Sequence, residues 1–270
     1  MRQRSKKETS VALLSADWHL QHTAPIWRSA EPDWYAAMRR VMFELQQLQE
    51  RYHCPILEAG DIFNRWNSCP QLINFAMAFM PKEVYSIVGQ HDLPHHRESA
   101  LEQSAYYSLV LGKAIKELGW AEVQPIRDVN LYAFPYGQEI VPPNEIPTEG
   151  LELNGTIDVA ICHEYVWSGS YKYLIASPED KIETRFSKLI NGKLYGYDVI
   201  VYSSNHKGFL VKVGKTTVFN CGTLMRRKFD EKDYRPQIGL LYADGTVEPY
   251  NLDISKDQYI KISREENRIV

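Results

Sequence analysis

The first half of the chain alternates short apolar runs with longer amphipathic ones, and this alternation narrows the fold more than any other feature. Val11-Ala12-Leu13-Leu14-Ser15-Ala16 reads as a buried strand. From Pro32 to Tyr52, Trp34, Met38, Val41, Leu45 and Leu48 recur at steps of four and three, which predicts a helix with one buried stripe. Ile56 to Ala59 reads as a second strand, and Leu72 to Met80 as a helix stopped by Pro81. Val84 to Val88 reads as a third strand, and Ala100 to Leu118 as a second long helix ending at Gly119. Strands separated by helices imply parallel β-α-β units and an α/β fold.

The second half is richer in strands. Short strands are expected around Asn130–Phe134, Ile157–Cys162, Val199–Tyr202, Phe209–Val213, Thr216–Asn220, Ile238–Tyr242 and Thr246–Tyr250, with hairpin turns at Gly214-Lys215 and Asp244-Gly245. Two irregular stretches interrupt them. Gln138 to Gly150 carries Pro142, Pro143 and Pro147, and Glu164 to Tyr197 is rich in aromatic residues. Segments of that length either serve function or pack over a sheet face.

Composition sets the remaining bounds. With 44% apolar and 24% charged residues, the chain is not a disordered tail, a coiled coil or a collagen-like repeat. No apolar run approaches the ~20 residues of a membrane helix, and the basic start Met1–Lys7 is followed by a strand-like run rather than a signal-peptide core. The net charge of −3 gives no bulk argument for nucleic acid, so any DNA contact must come from local patches. Cys54, Cys69, Cys162 and Cys221 form no CxxC pair and read as free thiols of a reducing cytoplasm.

The residues that can do chemistry cluster just past the strand ends. Asp17 and His19 come after the first strand, Asp61 after the second and Gln90-His91-Asp92 after the third, while His163 and His206 close two strands of the second half. The carboxyl ends of neighbouring strands in an open α/β sheet converge on one crevice. If Asp17 and His19 stay extended, their i, i+2 spacing points both side chains to one face. Carboxylates mixed with imidazoles suit Mn²⁺, Fe²⁺ or Zn²⁺ better than calcium. A carboxylate shared by two ions about 3.5–4 Å apart can clamp a phosphate. Gly60 and Gly89 permit sharp turns close to such ions. The basic cluster Arg226-Arg227-Lys228, on strand ends expected to line the crevice, and Lys207 beside His206 are candidate phosphate contacts.

Asp17-Trp18-His19, Gly60-Asp61, Gly89-Gln90-His91-Asp92, His163 and Ser203-Ser204-Asn205-His206, taken in order, resemble the calcineurin-like metallophosphoesterase pattern. Asp17-Trp18-His19-Leu20, Gly60-Asp61-Ile62-Phe63 and Asn220-Cys221-Gly222-Thr223-Leu224 look most like SbcD-type DNA repair exonucleases, particularly short bacteriophage versions. The resemblance implies two mixed β-sheets sandwiched between helices, in an α/β/β/α arrangement. It implies two divalent metal ions, Mn²⁺ first, with Mg²⁺, Fe²⁺ or Zn²⁺ as alternatives. Asp17, His19 and His206 would hold one ion, Asp61 would bridge, and Gln90 and His163 would hold the second. His91 would serve the scissile phosphate, with Asp92 orienting it.

Gln90 stands where the family has Asn, and Ser204 where it has a metal-binding His, so the second ion is expected to bind more weakly. The function implied is DNA phosphodiester hydrolysis by metal-activated water, in repair, recombination or phage DNA processing, with an SbcC-like SMC-type ATPase as partner. A homodimer through the exposed face of the Pro32–Tyr52 helix is a further expectation. Residues 1–250 would form the nuclease domain and 251–270 a rudimentary cap or partner-docking extension, in the cytoplasm of the cell or of a phage host. Two alternatives remain: a phosphoesterase acting on small nucleotides or phosphoproteins, and a degenerate member that only binds DNA or a partner.

Overall fold

The computed structural model describes residues 9–166 and 196–260. Two six-stranded mixed sheets lie face to face. The first contains β1 (Ser10–Ser15), β2 (Ile56–Glu58), β3 (Val84–Ser86), β4 (Lys116–Glu117), β11 (Gln237–Tyr242) and β12 (Val247–Asn251), in the order β12-β11-β1-β2-β3-β4. The second contains β5 (Val123–Ile126), β6 (Val129–Phe134), β7 (Ile157–Tyr165), β8 (Val199–Ser203), β9 (Phe209–Val213) and β10 (Thr216–Asn220), in the order β5-β6-β7-β8-β10-β9. The expected β-α-β units are present: β1 to β4 run parallel, as do β6, β7, β8 and β10.

Alternation along the strands builds the layers. In β1, Leu13 faces the helices while Ala12 and Leu14 face the second sheet. In β8, Val199 and Val201 point inward, and Ile200 and Tyr202 point to the far side. Helices α1 (Trp34–Tyr52), α2 (Pro70–Phe79) and α3 (Ala105–Leu111) cover the outer face of the first sheet. Asp33 caps α1 by accepting the Ala36 amide at 2.9 Å, so the helix starts at Trp34 rather than Pro32. The outer face of the second sheet is covered in part by Ile140 and Ile146, so the proline-rich stretch packs over a sheet face. Most of the aromatic-rich stretch, and residues 261–270, lie outside the described residues.

The helix expected over Ala100–Leu118 is not continuous. A 3-10 segment (Glu98–Gln103) precedes α3, which Ser104 caps by accepting the Tyr107 amide at 3.1 Å. Lys113 then turns at φ 56°, and Lys116–Glu117 pair with β3 as its edge strand. Ile115 and Leu118 are buried in both readings; their spacing fits a helix stripe, but the turn delivers them from an extended chain. All four cysteines are free, and no helix among the described residues is long and apolar enough to cross a membrane.

Candidate metal centre

The carboxyl ends of β1, β2, β3, β7 and β8 carry the candidate ligands to one place. Asp17 and His19 do not remain extended: both take left-handed backbone, φ 51° and 44°, as does Asp61 at 65°. Non-glycine residues adopt this region rarely, at a cost of about 1–3 kcal/mol each. Cross-bonds hold the turns. Asp17 N donates to Gly60 O at 3.0 Å, His19 N to Asp61 O at 2.9 Å, Leu20 N to Ile62 O at 2.8 Å, and Asn64 N to Leu20 O at 2.9 Å. The segments after β1 and β2 therefore continue as a ladder beyond the sheet. His163 sits inside β7, where the register with β8 shifts between Cys162 and Tyr165, and such irregularities re-aim side chains.

The result is three overlapping sets: Asp17, His19 and His206; His19, Asp61 and His91; Asp17, Asp61 and His163. Within each, ligand atoms lie within 4.8 Å of one another. His19 Nε2 is 3.0 Å from His206 Nε2, 3.7 Å from Asp17 Oδ1 and 3.8 Å from Asp61 Oδ2. His163 Nε2 is 3.5 Å from Asp61 Oδ2. Asp17, His19, Asp61 and His163 are buried. A Cβ on Gly60 would lie 2.4 Å from His163 Nδ1, and one on Gly89 would lie 2.2 Å from Asp61 Oδ1, so both glycines are required by close approach.

These residues fit divalent ions. Among the described residues, Asp61 Oδ2 and His163 Nε2 are buried and face each other at 3.5 Å with no hydrogen bond to any other group, which is costly unless something else binds there. His163 Nδ1 donates to Ala59 O at 2.8 Å, which leaves Nε2 as the atom offered to the interior. His206 Nδ1 donates to Glu231 Oε1 at 2.9 Å, which likewise directs Nε2 inward. A carboxylate behind a histidine is the usual outer partner of a metal-binding imidazole.

Charge points the same way. Burial pushes the Asp17 carboxyl up to about 6 against the pull of His206 and His163. Burial alone would lower the His163 imidazole, but the Asp61 carboxylate raises it to about 10. Burial also opposes ionisation of Asp61, yet His163 holds its carboxyl below the usual range. Buried carboxylates here draw positive charge to themselves.

The remaining expected residues take distinct places. His91 donates from Nδ1 to Asn64 O at 3.0 Å, and its ring stands edge-on to His19 with centroids 4.9 Å apart. The Asp92 carboxylate does not touch the His91 imidazole. It accepts the amides of Asp61 (2.9 Å), Phe63 (3.0 Å) and Gly89 (3.1 Å), and so fixes the turn that presents Asp61. Burial and the Asp61 charge push the Asp92 carboxyl up to about 7.

The half-buried Gln90 makes no side-chain hydrogen bond among the described residues, and its carbonyl accepts from His96 Nδ1. Ser204, at φ 68°, supplies its amide to Asp17 at 3.0 Å. Lys207, also half-buried, follows His206, its amide held by Asn205 Oδ1 at 3.1 Å. The arginine pair divides. Arg226 is buried in the C-terminal segment, its guanidinium 4.7 Å from the Tyr259 ring and 3.7 Å from Asp257. Arg227 donates to Asn64 Oδ1 at 2.6 Å, with its Nε buried and without a partner. Sequence reasoning did not find Glu231 or Asn64; no local signal marks either, since both matter through partners distant in the chain.

No family model matches the sequence, and no curated protein matches it. Solved structures do. A Staphylococcus aureus protein assigned as a 5′-nucleotidase, crystallised with α-ketoglutarate, aligns at TM-score 0.55 and 12% identity, over 95% of this chain and 56% of that one. The fold is the metallophosphoesterase fold. An archaeal phosphodiesterase aligns at TM-score 0.45 and 11% identity over 89% of this chain and 99% of its own. The Escherichia coli phosphoesterase YfcE aligns at 0.39 and 11% identity over 90% and 99%. In the metallophosphoesterase fold of this chain, two mixed sheets flanked by helices bring the post-strand turns of both sheets together, and there Asp17, His19, Asp61, His163 and His206 meet.

Proposed function

We propose that the protein is a metal-dependent phosphodiesterase that cleaves DNA, with chemistry of the SbcD kind. The observation that supports it is the convergence of two carboxylates and three imidazoles from both sheets, with Asp61 Oδ2 and His163 Nε2 buried 3.5 Å apart and bonded to no other group among the described residues. Asp17, His19 and His206 would hold one ion, and Asp61 would be shared with a second held by His163 and Gln90. Bound divalent ions polarise a phosphate and lower the pKa of water.

The chain's own residues do the rest. Asp92 fixes the Asp61 turn, and Glu231 sets the tautomer of His206. Asn64 ties His91 and Arg227 together, through its carbonyl and its side chain respectively. An imidazole to serve the leaving oxygen and a fixed positive charge for a non-bridging oxygen are thus joined through one residue.

The test is digestion of single-stranded, duplex and circular DNA with Mn²⁺ or Mg²⁺, beside Asp61→Ala and His91→Ala. The wild type cleaves. Asp61→Ala abolishes cleavage and metal uptake, whereas His91→Ala loses cleavage and still binds Mn²⁺. A wild type inert on every DNA form, or an Asp61→Ala protein that cleaves normally, overturns the proposal.

A further inference from the structure

The ladder that carries the metal-binding side chains does not stop at them. It opens into a groove of about 490 Å³ between residues 20–26 on one side and residues 64–72 on the other. That volume suits a nucleotide-sized group. The lining contains Gln21, His22, Asn64, Arg65, Asn67 and Ser68, with apolar ground from Leu20, Pro25 and Leu72, and no carboxylate. A groove of donors without acids, joined to the candidate site through Asn64, whose carbonyl accepts from His91, suits a ligand that carries negative charge along its length.

Most of the polar groups are accounted for. Gln21 donates to Thr23 O, His22 pairs with Tyr35 Oη, Ser68 donates to Arg65 O, and Asn64 serves His91 and Arg227. Three are not. Among the described residues the exposed Arg65 guanidinium has no ion pair, and neither the Thr23 hydroxyl nor the Asn67 side chain has a hydrogen bond. Asn64, which lines the groove, also accepts from the Arg227 guanidinium at 2.6 Å. Asn64 thus links the buried Arg227 to a groove that also presents the exposed Arg65, two positive charges suited to a ligand with more than one phosphate.

We infer that this groove is the subsite for the nucleotide flanking the scissile phosphate of a single-stranded nucleic acid, with Arg65 pairing the next phosphate along. The inference rests on the phosphodiesterase reading for its orientation, but its binding can be measured without catalysis. Fluorescein-labelled hexathymidylate is titrated in EDTA against the wild type, Arg65→Glu and Lys215→Glu. The last places the same charge change on an exposed turn far from the groove. Turnover of hexathymidylate and of bis(4-nitrophenyl) phosphate is measured with Mn²⁺ in parallel.

Arg65→Glu should weaken hexathymidylate binding about tenfold or more, the scale of a lost charge-assisted phosphate contact, and Lys215→Glu should stay within about twofold. With Mn²⁺, Arg65→Glu should lose at least about tenfold more kcat/KM on hexathymidylate than on the small diester. Equal weakening by the two variants, tighter binding of a hairpin duplex of equal charge, or equal loss on both substrates overturns the inference while hydrolysis still stands. Hydrolysis of neither substrate, with the binding difference intact, overturns the phosphodiesterase reading and leaves the groove.

Discussion

Replacing Glu231 by Gln tests how far the metal centre depends on a residue that never faces it. The Glu231 carboxylate is buried and fully used: Oε1 accepts from His206 Nδ1 at 2.9 Å, and Oε2 accepts the amides of Arg227 at 2.6 Å and Lys228 at 2.9 Å. Glutamine has one acceptor oxygen. If that oxygen keeps the two backbone amides, the NH₂ group meets His206 Nδ1 and donates to it. The ring proton then moves to Nε2, the atom 3.0 Å from His19 Nε2, and the lone pair aimed at the ligand set is lost. If the oxygen turns to His206 instead, two buried amides lose their acceptor.

Outer-partner losses of this kind weaken metal binding about 10–100-fold, or about 1.4–2.8 kcal/mol at 1.4 kcal/mol per decade. Calorimetric titration of metal-stripped protein with Mn²⁺ reads the change in the tighter site, and a denaturant midpoint in EDTA reads any general loss of stability. Mn²⁺ affinity within about twofold of the wild type would refute the assignment of Glu231 as the group that sets the His206 tautomer.

Two other substitutions probe the surroundings of the site. Glu58 is buried, with Oε2 accepting from Ser86 Oγ at 2.6 Å and Oε1 unpartnered, and burial holds its carboxyl well above the usual range. The folded state therefore holds a proton that the unfolded chain releases above about pH 4.3, and stability falls as pH rises from there. Glu58→Gln removes that dependence: it should match the wild type near pH 4 and exceed it by more than about 1 kcal/mol at pH 8 in urea unfolding, and a gain confined to acid pH would contradict the sign.

Gly89→Ala would place a Cβ 2.3 Å from Asp61 N, a backbone atom that cannot step aside, so it should cost about 1–3 kcal/mol and weaken Mn²⁺ binding. Gly119→Ala, whose Cβ would meet only Glu122 Oε2 at 3.7 Å, should do neither.

Elements with one dominant local signal were legible in the sequence. The stripe of α1, the Pro81 stop of α2 and the apolar runs of β1, β2 and β3 each carry their own evidence, and each is present, although α2 starts at Pro70 rather than Leu72. The Ala100–Leu118 stretch failed because the spacing of Ile115 and Leu118 fits one helix stripe, whereas in the structure they are buried on opposite faces of the first sheet, Ile115 among the helices and Leu118 between the sheets. Only pairing with β3 decides between the two arrangements, and pairing is not local. The gathering of Asp17, Asp61, His163 and His206 could be anticipated, because parallel strands deliver their carboxyl ends to one side. The means could not. Asp17 and His19 converge through left-handed turns held by Gly60 and Asp61, not through extended alternation. Glu231 and Asn64 stayed invisible because the histidines they orient, His206 and His91, lie 25 and 27 positions away.

The ladder from Asp17 N to Asn64 N separates two kinds of freedom. Up to Asn64 the rungs tie one turn to the other, and a change in either would drag the catalytic apparatus with it. Beyond the last rung, the stretches 21–26 and 65–69 are tied to separate helices, Gln21 O accepting from Trp34 Nε1 of α1 at 2.8 Å and Trp66 O from the Ala105 amide of α3 at 2.7 Å. A designer could therefore rewrite either stretch in length and lettering without unlinking the two turns that gather the candidate ligands.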